Sequence, residues 1–319
     1  MIIDIPKPAD FNQSSLSLLH LAWSIASSVL EELDCADLPS WDDDGSAANA
    51  YLEAAQLELG NGLALLMQAQ EIGLKGRIAE ISPFLLITRD PRDWPRRCDT
   101  TDLAFGDFRL ADASDLIRIH DTVSPNRMPE DIARQFDTIR RRRNAFVHAV
   151  ASRDRIHPQE IFQYVLQTAH HLHPHVHWPT ERIRYLSSSP LSFAWSKDFS
   201  YGTVLTEMRL CIETMDRLQA LELLGFDKDA PAFFCPNCDE IKGEAYEFPP
   251  LAQLYGDCLK STQLQCFVCR KASAVVRRPC LDPSCTQRVL LPDRPKEGEF
   301  LCLECYEETD PSEAEASLG

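Results

Sequence analysis

Nine of the twelve cysteines crowd into residues 235–305, and this crowding constrains the fold of the 319-residue chain more than any other feature. Eight of the nine form four close pairs, three with C-x-x-C spacing and one with C-x4-C spacing: Cys235/Cys238, Cys266/Cys269, Cys302/Cys305 and Cys280/Cys285. Each short turn places two thiolates on one side of a metal ion, and a second turn completes a tetrahedron. The spacing therefore predicts two structural zinc ions with four cysteine ligands each.

Spacing alone leaves open which turns share an ion. A sequential scheme joins the 235/238 and 266/269 turns, then the 280/285 and 302/305 turns, whereas a cross-braced scheme interleaves them. The sequential scheme is favoured because its shorter loops close at a lower entropic cost. A disulfide framework is the competing interpretation, but the N-terminus has neither a basic nor an apolar signal-peptide region. We therefore expect a reducing, cytoplasmic compartment in which such cysteines bind metal.

Hydrophobic periodicity predicts a mainly α fold in which residues 1–228 form an all-α bundle. Helices are expected over 14–34, 46–72 with an interruption at Gly60-Asn61-Gly62, 75–88, 112–122, 129–151, 157–173 and 203–224. A loop or insertion is expected at about 89–110, and a Pro- and Ser-rich connection over 174–200. A small zinc-stapled, zinc-ribbon-like domain should follow over 229–305, and an acidic disordered tail over 306–319. The apolar runs end well before 18 residues, so no contact with a membrane is expected.

The charge of the chain is uneven. Acidic residues outnumber basic ones by 49 to 32, and the net charge of −17 excludes a wholly basic nucleic-acid binder. From Lys260 to Lys296, however, eight basic residues face two acidic ones, a local net charge of +6. This stretch predicts a basic zinc region that can bind a nucleic-acid backbone, with Arg277 and Arg278 as candidate substrate contacts. A solvated surface that maintains solubility is the alternative.

The segment 139–148, Ile-Arg-Arg-Arg-Arg-Asn-Ala-Phe-Val-His, carries the clearest chemical signal. Asn144 and His148 lie four residues apart, so they share one face of a helix. Histidine can transfer protons near neutral pH, and guanidinium groups can stabilise the charge that develops on a phosphoryl group. The composition predicts metal-free RNA cleavage, in which the 2′-hydroxyl that DNA lacks attacks the adjacent phosphorus. The alternative is a solvated arginine-rich face with a structural histidine.

The hexapeptide Arg143-Asn144-Ala145-Phe146-Val147-His148 resembles the R-x4–6-H motif of the HEPN superfamily, including the polar residue after the arginine. The resemblance implies a HEPN-like helical bundle that dimerises, with Arg143 and His148 as catalytic residues and Asn144 assisting. It also implies a metal-independent endoribonuclease of a toxin–antitoxin or antiviral-defence system, with RNA as substrate and an inhibitory or defence-system protein as a further partner. One histidine cannot easily act as both base and acid, so we expect a homodimer that brings two motifs together.

Three further points stay open at the level of the sequence. An ideal helix places Arg143 roughly 140° from His148, whereas Arg140 and Arg141 lie closer to the histidine and are predicted substrate contacts. The run from His170 to His177 holds five histidines, which could bind a metal, flank the active site or form a partly exposed helix end. A non-catalytic adaptor that dimerises and binds protein or nucleic acid is the second candidate function.

Overall fold

The computed structural model describes residues 1–36, 45–88, 90–148, 154–190, 197–242, 249–256, 260–280, 282, 284–285, 288–294, 296–305 and 308–309. The described part is mainly helical with a few small sheets. It divides into two compact units, Met1–Val176 and His177–Gly319. This division falls earlier than the expected domain boundary after residue 228, so residues 177–228, including the helix expected over 203–224, belong to the same unit as the cysteine region.

Among its described residues, the first unit is built from six helices. They are α1 (Pro8–Cys35), α2 (Ser46–Ala54), α3 (Gln56–Ala79), α4 (Ala113–Val123), α5 (Glu130–His148) and α6 (Pro158–Leu172). α1 and α3 form the central pair, α6 packs against both, and α4 and α5 pack against α3. Trp23 and Phe162 meet at the centre of this core with their ring centroids 4.2 Å apart.

Glycines inside α3 allow neighbouring helices to approach closely. A methyl group on Gly73 would lie 2.9 Å from Leu172 of α6, and one on Gly76 would lie 2.8 Å from Asn12 of α1. The expected interruption at Gly60-Asn61-Gly62 was wrong, because α3 continues through these residues as an unbroken helix. Its break lies instead at Ala55, which separates α2 from α3. Tertiary packing therefore outweighs the low helix propensity of glycine here.

Short elements complete the first unit. The parallel strands β1 (Ile2–Ile3) and β2 (Leu103–Ala104) pair Ile2 with Leu103 and Ile3 with Ala104. Single 3₁₀ turns occur at Pro83–Leu86, Pro91–Asp93 and Phe105–Asp107. The helix expected over 75–88 was wrong, because α3 ends at Ala79 and the chain then enters the first of these turns.

In its described part, the second unit contains helices and two small antiparallel sheets. Its helices are α7 (Trp178–Ser188), α8 (Lys197–Thr214), α9 (Arg217–Leu224) and α10 (Pro236–Lys242). Strands β3 (Ala232–Phe233), β4 (Ala252–Leu254), β5 (Gln263–Cys266) and β6 (Ala272–Ala274) form the first sheet in that order, with Leu254 opposite Leu264. Strands β7 (Leu290–Pro292), β8 (Phe300–Cys302) and β9 (Glu308–Thr309) form the second, with Leu291 opposite Leu301.

Three expectations for this unit need correction. The helix expected over 203–224 is two helices, because the Asp216 side chain caps α9 by accepting a hydrogen bond from the Gln219 backbone N–H. The connection expected over 174–200 contains α7, whose Pro179 stands in the first turn, where a missing N–H costs nothing. Glu308 and Thr309 of the expected tail form β9, and the rest of that tail lies outside the described residues.

Among the described helices, none combines the length and apolar character needed to cross a bilayer.

Candidate metal centres and nucleic-acid cleft

Eight cysteines gather into two clusters of four in the second unit. One cluster contains Cys235, Cys238, Cys266 and Cys269, and the other contains Cys280, Cys285, Cys302 and Cys305. Within each cluster all sulfur atoms lie within 4.8 Å of one another. This grouping confirms the sequential scheme, in which each cysteine pair shares a cluster with the next pair along the chain.

The sulfur spacing fits a tetrahedral ion. Four sulfurs placed about 2.3 Å from a central zinc lie about 3.8 Å apart. The first cluster has Sγ–Sγ distances of 3.7 Å between Cys235 and Cys269 and 3.9 Å between Cys238 and Cys266. The second cluster has 3.5 Å between Cys280 and Cys305 and 3.8 Å between Cys285 and Cys302. Both clusters could hold structural zinc, and four thiolates leave no ligand position for a reacting water.

Local backbone geometry explains why these segments present pairs of thiolates. Cys266 ends β5, and the chain then turns so tightly that the Arg270 backbone N–H donates to the Cys266 carbonyl at 2.9 Å. Arg270 adopts a φ of 59°, in the left-handed region, at the point where the turn closes. In the second cluster the Asp282 carboxylate accepts the Ser284 backbone N–H at 2.8 Å, which shapes the loop between Cys280 and Cys285.

Helices of the second unit support the first cluster directly. The Phe226 ring, just after α9, lies 5.2 Å from the ring of Phe267 between Cys266 and Cys269. Thr180 of α7 donates its hydroxyl to the Val268 carbonyl at 3.3 Å. The first cysteine cluster therefore packs against α7 and the residues that follow α9. Phe267 is 8% exposed, so it offers no free ring face for a nucleic-acid base.

The four consecutive arginines of α5 have four different environments. Arg140 donates to the Asp137 carboxylate at 2.6 Å, and the same bond lowers the pKa of Asp137. Arg141 is exposed and contacts Asp137 as well. Arg142 donates to the Glu160 carboxylate of α6 at 2.9 Å and to the Arg155 carbonyl. Burial lowers the pKa of Arg142, but the Glu160 pairing outweighs it and the pKa is raised. Arg142 therefore links α5 to α6 through an ion pair.

Arg143 differs from the other three arginines. Its partly buried guanidinium donates to the Asn144 side-chain oxygen at 3.0 Å, and within the described part of the chain it pairs with no carboxylate. The third predicted catalytic residue, His148, is the last residue of α5, and its side chain lies outside the described residues.

Arg140, Arg143 and Asn144 line one cleft of about 910 Å³ in the first unit. The opposite wall is α3, and the start of α4 contributes Asp112, Ala113 and Ser114. The polar side chains of the α3 wall are Asn61, Gln68, Glu71 and Lys75. Sequence reasoning missed this wall, although Asn61, Gln68 and Lys75 recur every seven residues, a spacing that keeps side chains on one helix face.

Packing between α3 and α5 sets the position of the motif at one end of the cleft. A Cβ atom on Gly60 would lie 2.1 Å from the Phe146 ring, so the ring occupies the space that glycine leaves. Asn61 follows Gly60 and Asn144 lies two residues before Phe146, so the Asn61 end of the cleft adjoins the motif. His148 lies one turn beyond Asn144 on the same helix face.

The Gly60→Ala variant should test this packing. The new methyl group must displace the Phe146 ring, and overpacking of this kind costs about 1–3 kcal/mol, partly offset by up to about 1 kcal/mol of helix propensity. We expect a lower melting temperature in thermal unfolding. The second variant Phe146→Leu shortens the opposing side chain and should restore stability when combined with Gly60→Ala. A double variant no more stable than Gly60→Ala would contradict the contact.

The remaining predicted residues lie elsewhere. The Arg278 guanidinium carbon lies 4.2 Å from the centroid of the Phe300 ring, beside the second cysteine cluster, and Arg277 is partly buried. Of the histidine run, His173 is buried and its Nε2 lies 2.9 Å from the Ser15 hydroxyl, while His170 is exposed. Burial, with Arg270 nearby, lowers the pKa of His177 to about 4. Among the described residues, the groups suited to hold a metal are the two cysteine clusters and do not include this run.

Comparison with known proteins adds no assignment to these sites. No protein-family model, no curated protein and no solved structure matches the chain.

Proposed function

We propose that this chain is a metal-independent endoribonuclease whose active site is the motif end of the cleft, with Arg143, Asn144 and His148 as its catalytic residues. One observation carries the proposal. The Arg143 guanidinium has no carboxylate partner in the described part of the chain, is held by Asn144, and lines a cleft of about 910 Å³. Such a volume lies within the range of pockets that enclose small ligands, so it accommodates a nucleotide portion of an RNA strand.

The chemistry follows from these groups. A base removes the proton of the RNA 2′-hydroxyl, whose oxygen forms a bond to the adjacent phosphorus. The bond from phosphorus to the 5′-oxygen breaks, and an acid protonates that oxygen. His148 transfers one of the two protons, and Arg143 stabilises the negative charge on the pentavalent phosphorane. Asn144 holds the guanidinium through the hydrogen bond to its side-chain oxygen. The products are a 2′,3′-cyclic phosphate and a 5′-hydroxyl.

A homodimer would supply the second proton-transfer group. With one His148 per chain, a two-fold axis beside the end of α5 places a second imidazole near the first. Arg140 and Arg141 would then guide the RNA backbone towards the paired sites, and the zinc region, with Arg277 and Arg278, would hold a distal part of the RNA or a partner protein. We further propose a role as a toxin or antiviral-defence effector that an inhibitory partner restrains.

A non-catalytic adaptor is the second candidate, and one observation favours it. Arg140, Arg141 and Arg142 all contact carboxylates of this chain, as expected for a helix whose arginines stabilise the bundle. In this candidate the helical unit dimerises and the zinc region binds protein or nucleic acid, with no bond broken.

Cleavage of a labelled single-stranded RNA by the zinc-loaded full chain decides between the two. We expect the RNA to be cleaved during a brief treatment with EDTA, and mass spectrometry should find 2′,3′-cyclic phosphate ends. A DNA strand of the same sequence should not be cleaved. The His148→Ala variant should lower the rate by at least about 100-fold, the typical size of a lost proton-transfer group. Arg143→Ala should lower it by about 10²–10³, as for loss of an oxyanion donor.

Two controls make the result interpretable. His170→Ala removes an exposed histidine from α6 outside the cleft lining and should leave the rate unchanged. Circular dichroism before and after EDTA shows whether the zinc region stays folded during the assay. Equal cleavage by wild type and His148→Ala would reveal a contaminating nuclease and defeat the proposal, and binding of RNA without cleavage would favour the adaptor.

A further inference from the structure

An ion pair stands on the α3 wall of the cleft, at the end away from the motif. The Lys75 ammonium lies 2.6 Å from the Glu71 carboxylate, and the two side chains are only 15% and 32% exposed. Both residues line the cleft. Glutamate four residues before lysine is a favourable helical spacing, but such pairs add little to helix stability when exposed. The cleft wall thus carries a partly buried cation that is already paired with an anion.

The chemistry of the pair suits a phosphate. Lysine binds phosphate as a compact point charge, and a carboxylate that already neutralises it keeps its side chain in place before the ligand arrives. A phosphodiester oxygen carries a negative charge like the Glu71 carboxylate, so it can replace that carboxylate as the partner of the ammonium. The opposite wall has a similar arrangement, because Arg140 lines the cleft and rests on Asp137 at 2.6 Å.

The position of Lys75 relative to the motif indicates which phosphate it would bind. Asn61 marks the motif end of the cleft, and helix geometry places Lys75 about 21 Å further along the α3 axis, at about 1.5 Å per residue. Several nucleotides of an RNA strand are needed to span that distance. This separation along α3 assigns Lys75 to a phosphate other than the scissile phosphate proposed for Arg143.

We propose that Lys75 binds a phosphodiester of single-stranded RNA several nucleotides from the cleavage point, and that Glu71 occupies its ammonium until the RNA displaces it. This inference rests on the proposed endoribonuclease function and adds a remote substrate-binding site to it. Lys75 is a substrate-binding residue and takes no part in the bond-breaking step. The two partners of the ion pair should consequently have opposite effects on RNA affinity.

Binding of a fluorescent 2′-O-methyl RNA of twelve nucleotides, which lacks the nucleophile, tests the proposal by anisotropy. Lys75→Gln should raise the Kd about tenfold, the loss expected for one hydrogen bond to a charged group. It should also reduce the slope of log Kd against log salt by about 0.7, the value for one phosphate contact on a single strand. Glu71→Gln should lower the Kd by about two- to fivefold, because the competing carboxylate is gone.

Substrate length and a matched pair separate this role from a structural one. With a dinucleotide substrate too short to reach Lys75, Lys75→Gln should leave KM unchanged, whereas KM for the twelve-nucleotide RNA should rise. Arg77 and Glu80 form an ion pair at 2.8 Å near the end of the same helix but do not line the cleft. Neither Arg77→Gln nor Glu80→Gln should therefore change the Kd for the twelve-nucleotide RNA.

Two outcomes would overturn the inference. Weaker binding by both Lys75→Gln and Glu71→Gln, with equal losses of melting temperature, would identify a purely structural ion pair. Unchanged binding by Lys75→Gln would exclude the contact. Either result leaves the endoribonuclease proposal intact if His148→Ala still abolishes cleavage. Cleavage that persists in His148→Ala would instead contradict the endoribonuclease proposal, and the Kd values alone would then decide whether Lys75 binds RNA.

Discussion

Removal of zinc from the full chain should unfold helices α7–α9 together with the cysteine loops. We expect a chelator of high affinity to reduce the circular dichroism at 222 nm far more than the loss of the small sheets and α10 alone could explain. Apparent binding free energies of about 10–16 kcal/mol for a structural four-ligand zinc are of the same size as the typical stability of an entire domain, about 5–15 kcal/mol. Zinc bound at the two cysteine clusters would therefore contribute enough free energy to determine whether the unit folds.

The contacts of the first cluster explain why the helices should follow the metal. Its loop between Cys266 and Cys269 packs Phe267 on Phe226, and Thr180 of α7 donates to the same loop. Gln253 of β4 accepts the Asp227 backbone N–H at 2.9 Å and donates to the Asp227 carbonyl at 2.6 Å, which ties the sheet to the residues after α9. Without the ion, the loop between Cys266 and Cys269 should lose its fixed conformation. The contacts that α7 and Phe226 make with this loop should then be lost as well.

Single cysteine variants should separate the two clusters. Cys238→Ala removes a ligand of the first cluster, and we expect the large loss of helical signal. Cys302→Ala removes a ligand of the second, whose core joins Cys280, Leu290 and Cys302, and should affect mainly β7–β9. Cys35→Ser is the matched control, because this cysteine is exposed at the end of α1. Metal analysis should find two zinc ions per wild-type chain, and an unchanged helical signal after complete zinc loss would contradict the prediction.

The cysteine clusters could be predicted from the sequence because their geometry is local. A C-x-x-C turn presents two thiolates whatever surrounds it, and loop entropy correctly favoured joining neighbouring turns. The sequence could not show that the first cluster shares a core with α7 and the end of α9. That arrangement depends on the contact between Phe226 and Phe267, which are 41 residues apart along the chain.

The helix limits failed where tertiary contacts outweighed local signals. Three residues that suggest a break, Gly60-Asn61-Gly62, continue the helix because Phe146 and Ile161 fill the space beside the two glycines. Conversely, the regular pattern over 203–224 concealed a break, since Asp216 caps a new helix within it. Hydrophobic periodicity shows which residues share the buried face of a helix. It does not show where the helix ends, because the residues that stabilise a helix end can lie far away in the sequence.

The candidate cleft was only half predictable for the same reason. The motif on α5 is contiguous, so Arg143 and Asn144 could be selected directly from the sequence. The helical wheel placed Arg143 away from the histidine face, and the structure has its guanidinium on the Asn144 oxygen and in the cleft lining. The opposite wall on α3 is more than 60 residues earlier in the chain, and no local pattern connects Lys75 with Arg143.

The second large effect should come from the buried ion pair between α7 and α8. Arg182 and Glu207 have side chains only 2% exposed, and the guanidinium donates through Nε at 2.9 Å and through Nη2 at 2.7 Å to the two carboxylate oxygens. Replacing Arg182 by Met leaves the buried Glu207 carboxylate without its bidentate partner. Breaking such a pair costs about 3–5 kcal/mol, so we expect a markedly lower midpoint in urea unfolding of the zinc-loaded chain.

Replacing both partners should be far less harmful than replacing one, because two apolar side chains leave no charge to desolvate. The double variant Arg182→Met/Glu207→Leu should therefore recover most of the stability lost in Arg182→Met. Arg217→Met is the matched control, since Arg217 pairs with Asp227 in the same unit while 51% exposed, and its midpoint should hardly change. A single variant as stable as the control would mean that water reaches Glu207. A double variant no better than the single one would mean that the guanidinium contributes chiefly by its packing, including its place 5.5 Å from the centroid of the Tyr185 ring.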